Sequence, residues 1–370
     1  MQQWIAKRMS RIEVSGVRRV FDLARTLTDP VNLSIGQPHF QVPEAIKQAT
    51  IRAIEADHNG YTVTQGIASL RAKLHARFVQ PLGHPDRELF ITSGTSGGII
   101  LALLATVNPG DEVICFDPYF AAYPNMIQIA GGVMVAVDTY PDFRIDPAKL
   151  EAAITPRTKM IIFNSPANPT GVVADAATTR AVARIARERG ILLLSDEIYR
   201  IFCYDGPLPS PVLDNDQTLV IDGFGKAYGI TGWRLGFAHG PRPVIEEMLK
   251  LQQFSFVCAP SPSQYGAEAA LDVDTQPYVD DYRRKRDWLC EQLARLGYEV
   301  VVPGGAFYLF VRAPWGSGSE FVTEAIRNNL LIIPGGVFSR RDTHFRISYA
   351  ADERTLQRGV EILRAIRQRR

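Results

Sequence analysis

Lys226 follows a short apolar run and is flanked by small residues in Asp222-Gly223-Phe224-Gly225-Lys226. Desolvation penalises an ammonium and lowers its pKa, so a lysine placed there is costly unless its amine serves as a base or nucleophile. Asp196 ends another apolar run, in Ser195-Asp196-Glu197-Ile198-Tyr199. A carboxylate closing a buried strand needs a cation or hydrogen-bond donors. Eight residues beyond Lys226, Arg234 follows Gly232-Trp233. Taken singly, each also reads as a structural ion pair or a surface charge.

Three further segments carry polar chemistry. Ser93-Gly94-Thr95-Ser96-Gly97-Gly98 precedes an apolar helical stretch. A Gly- and hydroxyl-rich turn opening a helix offers free N–H groups and a positive dipole end, which suits a phosphate or serves as a plain N-cap. It lacks the Gly-Lys-Ser/Thr ending of a Walker loop. Asp117-Pro118-Tyr119-Phe120 offers a ring that could stack on a flat cofactor or pack in the core. Asn164-Ser165-Pro166-Ala167-Asn168-Pro169-Thr170-Gly171 fixes its backbone with prolines and glycine, and Asn168 can both donate and accept.

These segments need a scaffold that brings them together. Between residues 43 and 271, short apolar runs alternate with helical patterns. Strands are expected at 89–92, 112–116, 133–137, 160–163, 191–195, 219–222 and 235–238. They are unbroken apolar runs, as strands buried on both faces must be. A helix is expected at 174–189, where apolar residues recur every three or four positions. The pattern predicts an α/β fold with a mostly parallel seven-stranded sheet flanked by helices. In such a sheet ligands bind beyond the carboxyl ends of the strands, and the candidate residues all lie at that same edge. From residue 272 the pattern changes to a charged helix (278–296), a strand pair (300–302 and 306–311), a helix (319–328), a strand (345–348) and a last helix. We expect residues 1–40 to pack with a small α+β domain at 273–370, and 41–272 to form the large domain.

Composition narrows the field. The chain has 370 residues, 46% hydrophobic and 22% charged, enough for a large core and about two domains. A net charge of +2 gives no footing for nucleic acid or an acidic membrane. No window is apolar and long enough to span a bilayer, and the N-terminus lacks a secretory pattern. The four cysteines form no CxxC pair and read as reduced thiols of a cytoplasmic protein. The six histidines show no ligand spacing, so no metal site is expected.

The ordered blocks resemble the class I/II, fold-type I aminotransferases, the aspartate aminotransferase group. The likeness rests on Leu33-Ser34-Ile35-Gly36-Gln37-Pro38, Tyr61-Thr62 before Gly66 and Leu70-Arg71, Asn168-Pro169-Thr170-Gly171, Asp196-Glu197-Ile198-Tyr199, Lys226 to Gly236, and Phe345-Arg346-Ile347-Ser348-Tyr349. It implies pyridoxal 5'-phosphate bound as a Schiff base on Lys226, which then moves the substrate proton. It implies that Asp196 pairs with the pyridine nitrogen, that Tyr199 and Asn168 donate to the cofactor's phenolic oxygen, and that Phe120 stacks on the ring. Gly94, Thr95, Ser96 and Arg234 would hold the phosphate. Tyr61 would reach the phosphate in a neighbouring subunit, implying a homodimer with shared active sites. Gly223 stands where many relatives have a serine, so one phosphate contact fewer is expected. Arg346, helped by Gly36 and Asn168, would bind the α-carboxylate of an L-amino acid or 2-oxo acid.

Val14, Ser15, His39, Arg340 and Arg341 fall in segments that line the side-chain pocket in relatives, but each reads better as an uninvolved loop or core residue. The resemblance implies amino transfer. The same lysine, aspartate and arginine would serve a C–S β-lyase. A non-catalytic ligand-sensing domain would follow a DNA-binding segment, and the forty residues before the pattern are not markedly basic.

Overall fold

The computed structural model describes residues 4–13, 16 and 27–367. After a short turn of helix at Lys7–Arg11 and strand β1 (Val31–Asn32) come helices α1 (Glu44–Glu55) and α2 (Ala68–Leu74). Alternation then begins: β2 (Arg87–Thr92), α3 (Gly94–Thr106), β3 (Glu112–Asp117), α4 (Tyr123–Ile129), β4 (Val133–Asp138), α5 (Pro147–Ala153), β5 (Thr158–Asn164), α6 (Ala176–Glu188), β6 (Leu192–Asp196), β7 (Leu219–Gly223) and α7 (Phe224–Ala227). β8 (Gly236–Pro241), α8 (Arg242–Ser255) and α9 (Ser261–Ala270) close this part. Then follow α10 (Gln276–Arg295), β9 (Tyr308–Arg312), α11 (Gly318–Arg327), β10 (Leu330–Leu331), β11 (Ile333–Pro334), β12 (His344–Ser348) and α12 (Glu353–Arg367).

The main sheet has seven strands in the order β2-β8-β7-β6-β5-β3-β4. Only β8 runs against its neighbours. The mostly parallel sheet expected from the apolar runs is therefore present, and all seven strands fall where those runs lie. The buried runs explain themselves by their alternation. Val113 and Cys115 join one core with Ile99, Leu103 and Met248 of α3 and α8, while Ile114 and Phe116 join another with Val182 and Ile185 of α6. Successive side chains of a strand point to opposite faces, so a sheet covered by helices on both faces needs apolar residues at every position. β4 lies at one edge of the sheet, and Val133 is half exposed there. Helix α6 starts where Asp175 caps it, its Oδ1 accepting from the Thr178 N–H at 2.7 Å.

A second sheet orders β11-β12-β9, all antiparallel, and β1 pairs in parallel with β10. Its core gathers Tyr282, Leu289 and Leu293 of α10 with Phe307, Tyr308, Phe321, Phe345 and Tyr349. Helix α11 opens with a capping box: Ser317 Oγ accepts from the Glu320 N–H at 3.1 Å and Glu320 Oε2 accepts from the Ser317 N–H at 2.7 Å.

One expected element is absent. Residues 300–302 form no strand, and the partner of β9 is β12. Pro303 has no N–H to extend a ladder, and Val302 is 59% exposed. β9 also begins later than expected, at Tyr308, because Ala306 adopts a left-handed φ of 55° that breaks an extended chain. The two-residue strands β1, β10 and β11 have too little pattern to be read from sequence. Within residues 28–39, several bond to the second unit: Asn329 Nδ2 donates to the Thr28 carbonyl at 2.9 Å and the Ser348 N–H to the Leu33 carbonyl at 2.8 Å, while Gly36 and Gln37 meet Lys226 and Thr231 of the first. The Glu13 N–H instead reaches Asn125 of α4 at 3.2 Å.

Candidate active site

The parallel strands β5, β6 and β7 bring their carboxyl ends side by side. Asn164 is the register partner of Asp196, and Asp196 that of Ile221. Asn164 clasps the edge: its Nδ2 donates to the Asp196 carbonyl at 3.0 Å, and its Oδ1 accepts from the Asn168 N–H at 2.9 Å. The loop bearing Asn168 is thus fixed to the strand bearing Asp196.

The Asp196 carboxylate is buried. Tyr123 donates to its Oδ2 at 2.6 Å, and the Ile198 N–H lies 3.4 Å from its Oδ1. No cation pairs with it among the described residues. Burial accordingly pushes its pKa up to about 6, against the opposing pull of those two hydrogen bonds. A buried carboxylate with donors but no counter-ion is suited to a cationic ligand.

Lys226 sits in α7, one turn beyond β7. Its Nζ donates to the Gly36 carbonyl. Burial, then the positive charges of Arg346 and Arg234, pulls the amine down to about 8, so a substantial neutral fraction exists near neutral pH. Gly223 stands in extended backbone before it. A side chain there would meet Thr95 Cγ2 at 3.0 Å and the Leu235 carbonyl at 3.1 Å, so the Thr95 methyl occupies the room a serine would need.

At the start of α3, Ser93 makes no side-chain capping bond, leaving the first-turn N–H groups of Gly94, Thr95 and Ser96 for another acceptor. Gly94 takes a left-handed φ of 70°, which favours glycine, and an added Cβ would lie 2.7 Å from Arg234 Nη2 and push that guanidinium aside. Arg234 itself is held at a φ of 56°, and its Nη1 donates to the Thr231 carbonyl at 3.0 Å. A guanidinium laid across an uncapped helix N-terminus suits an anion.

Arg346, on β12, is 3% exposed. Its Nη1 donates to Asn168 Oδ1 at 3.0 Å and its Nη2 to the Ser34 carbonyl at 2.8 Å, while its Nε has no partner among the described residues. The guanidinium lies between the rings of Tyr308 and Phe338, 4.5 Å and 4.7 Å from their centroids. No carboxylate pairs with it among the described residues. A buried cation with neutral neighbours and part of its fork unused fits a carboxylate ligand. Because arginine can only donate, Asn168 must present its oxygen, and its NH2 group remains available to donate elsewhere. Tyr199 is buried with its hydroxyl 2.8 Å from that of Tyr308.

Phe120 is half-buried and meets Tyr123 edge-on at 5.4 Å. Tyr61, between α1 and α2, is 86% exposed. Of the segments considered for side-chain selection, His39 is engaged with Tyr282 and Lys285, and Arg341 with Asp138 at 2.6 Å. The backbone N–H of Arg340 donates to Asp117 Oδ2. Val14 and Ser15 lie outside the described residues. Two site tyrosines were not foreseen, Tyr123 and Tyr308; an isolated tyrosine in a helix or strand carries no signal separating it from core packing. Among the described residues no group of His, Cys, Asp and Glu could hold a metal, and no helix is long and apolar enough to cross a membrane.

Similarity to known proteins extends over nearly the whole chain. The family model for aminotransferase class I and II matches residues 28–363. The aspartate/prephenate aminotransferase of Thermus thermophilus is 36% identical over 356 residues, covering 93% of this chain and 92% of that protein. The aspartate aminotransferase of Geobacillus stearothermophilus is 31% identical over 382 residues, covering 96% and 97%. A solved Thermus thermophilus aspartate aminotransferase with maleate superposes with a TM-score of 0.93 at 34% identity, over 98% of this chain and 99% of that one.

Proposed function

Because this chain belongs to the class I and II aminotransferase family and is a transaminase of fold-type I, we propose that pyridoxal 5'-phosphate is its cofactor, held covalently by Lys226. The observation that carries the proposal is a pair of buried opposite charges without counter-ions among the described residues. Asp196 lacks a cation and Arg346 lacks a carboxylate, and the depressed amine of Lys226 belongs to the same strand-end cluster.

When bound, the cofactor supplies an electron sink for the bond broken at the substrate α-carbon. Asp196 keeps a proton on the pyridine nitrogen, and Tyr123 keeps Asp196 ionised and oriented. Gly94, Thr95 and Ser96 at the α3 N-terminus, with Arg234, hold the phosphate, and Phe120 covers the ring. Tyr199 and the free amide NH2 of Asn168 donate to the phenolic oxygen. Arg346 takes the α-carboxylate of the incoming amino acid or 2-oxo acid, with Gly36 and Asn168 beside it, and so aims Cα–H at the catalytic amine. Lys226 Nζ takes that proton as a neutral base and returns it, a role its lowered pKa suits.

A homodimer belongs to the same proposal. Tyr61 is a large exposed side chain, free to reach the phosphate in a partner's site. The division into 1–40, 41–272 and 273–370 is supported by the bonds of Thr28 and Leu33 to the second unit, with residues near Glu13 lying against α4 instead. We place the protein in the cytoplasm, supported by four free cysteines.

The experiment is a panel of L-amino acids and 2-oxo acids assayed on protein supplied with pyridoxal 5'-phosphate. Amino transfer for at least one pair, lost in Lys226→Ala, is expected. Turnover that survives Lys226→Ala would exclude this lysine as the carrier.

A further inference from the structure

Tyr308 touches three members of the site while belonging to none of the roles above. It opens β9, in register with Ser348 of β12, and is 1% exposed. Its ring face carries the Arg346 guanidinium at 4.5 Å. Its hydroxyl lies 2.8 Å from that of Tyr199. The same hydroxyl would stand 2.6 Å from a Cβ added to Gly36, so a side chain there would displace it.

We propose that Tyr308 is a positioning residue for the reaction: its hydroxyl donates to the Tyr199 oxygen and so directs the Tyr199 proton at the cofactor's phenolic oxygen. The proposal rests on the assignment of Tyr199 as a donor to that oxygen. Two buried hydroxyls share one hydrogen bond, so one proton lies inside the pair and the other is free for a third group. Both rings are held: Tyr199 meets Phe307 and Tyr308 edge-on, with interplanar angles of 86° in each case. Only the hydroxyl torsions remain to be chosen. The stacked cation of Arg346 draws electron density from the Tyr308 ring and makes its O–H the stronger donor of the two. Donation from Tyr308 in turn polarises Tyr199 and strengthens the bond it makes outward. The residue that receives the substrate carboxylate is thereby joined, through one tyrosine, to the residue that tunes the cofactor.

The test reads the absorption of the bound cofactor against pH in the loaded protein. A donor to an oxygen bearing negative charge favours the low-proton form of the chromophore, so removing the donor raises the midpoint. Tyr199→Phe is expected to raise it most, and Tyr308→Phe to raise it by roughly half a unit. The double variant should match Tyr199→Phe alone, because Tyr308 acts only through that hydroxyl. KM for the amino donor should stay within about twofold of wild type in Tyr308→Phe, since the ring under Arg346 remains. If Tyr308→Phe does not fold, Gly36→Ala serves, because its methyl displaces the Tyr308 hydroxyl and should move the midpoint the same way. An unmoved or lowered midpoint in Tyr308→Phe, or an additive shift in the double variant, overturns the proposal while leaving Tyr199 in place. An unmoved midpoint in Tyr199→Phe removes the underlying assignment and the proposal with it.

Discussion

Tyr123 donates its phenolic hydrogen to Asp196 Oδ2 at 2.6 Å, the shorter of the two hydrogen bonds to that carboxylate. The contact ties helix α4 to the end of β6 and steadies the charge that we propose faces the pyridine nitrogen. Tyr123→Phe should lower kcat and weaken cofactor retention by roughly tenfold, the scale of one hydrogen bond to a charged group. Cofactor release on dialysis and steady-state kinetics check this. Retention equal to wild type would show that Asp196 needs no help from α4.

The same carboxylate has a cost in the cofactor-free protein. Its pKa rises from an ordinary value near 4 to about 6 on folding. The folded protein then holds the proton more tightly than the unfolded chain. That contribution to stability is complete at low pH and is lost as pH rises from about 4 through about 6. Asp196→Asn should flatten this slope and stabilise the apoprotein at pH 7 by no more than roughly 3 kcal/mol, while abolishing amino transfer. Urea unfolding of both apoproteins between pH 4 and 8 measures it; parallel profiles would contradict it.

Cofactor capture should follow the neutral fraction of Lys226. With the amine at about 8, the rate at which apoprotein binds pyridoxal 5'-phosphate should climb about tenfold per unit below that pH and level off above it. Stopped-flow absorbance across pH 6 to 10 gives the midpoint. A midpoint near 10 would mean that the burial and neighbouring cations do not act on this amine.

Arg346→Lys keeps a charge and loses the fork. It should lower kcat/KM for every amino donor by roughly a hundredfold, chiefly through KM, because the two parallel bonds to the α-carboxylate are gone. An effect confined to donors with acidic side chains would place Arg346 in side-chain recognition instead.

Much of this arrangement was legible in the sequence because it follows from burial. The strands ending in Asp196 and leading to Lys226 open with Leu192-Leu193-Leu194 and Leu219-Val220-Ile221, and polar groups closing such apolar runs stand out. The strand order was not legible, since pairing depends on contacts far apart in sequence, such as Arg87 beside Pro241. Residues 300–302 looked like a strand from their valines, but Pro303 and the left-handed Ala306 decide otherwise. Tyr123 and Tyr308 escaped notice because their value lies in where the hydroxyl points, and spacing carries no trace of that.

We propose a covalent bond between the amine of residue 226 and the aldehyde of the cofactor. Borohydride reduction of protein loaded with pyridoxal 5'-phosphate converts such a linkage to a stable amine, which peptide mass spectrometry can locate. We expect the phosphopyridoxyl mass on the peptide containing Lys226 and on no other. A label on a different lysine, or none on any peptide, would exclude Lys226 as the carrier.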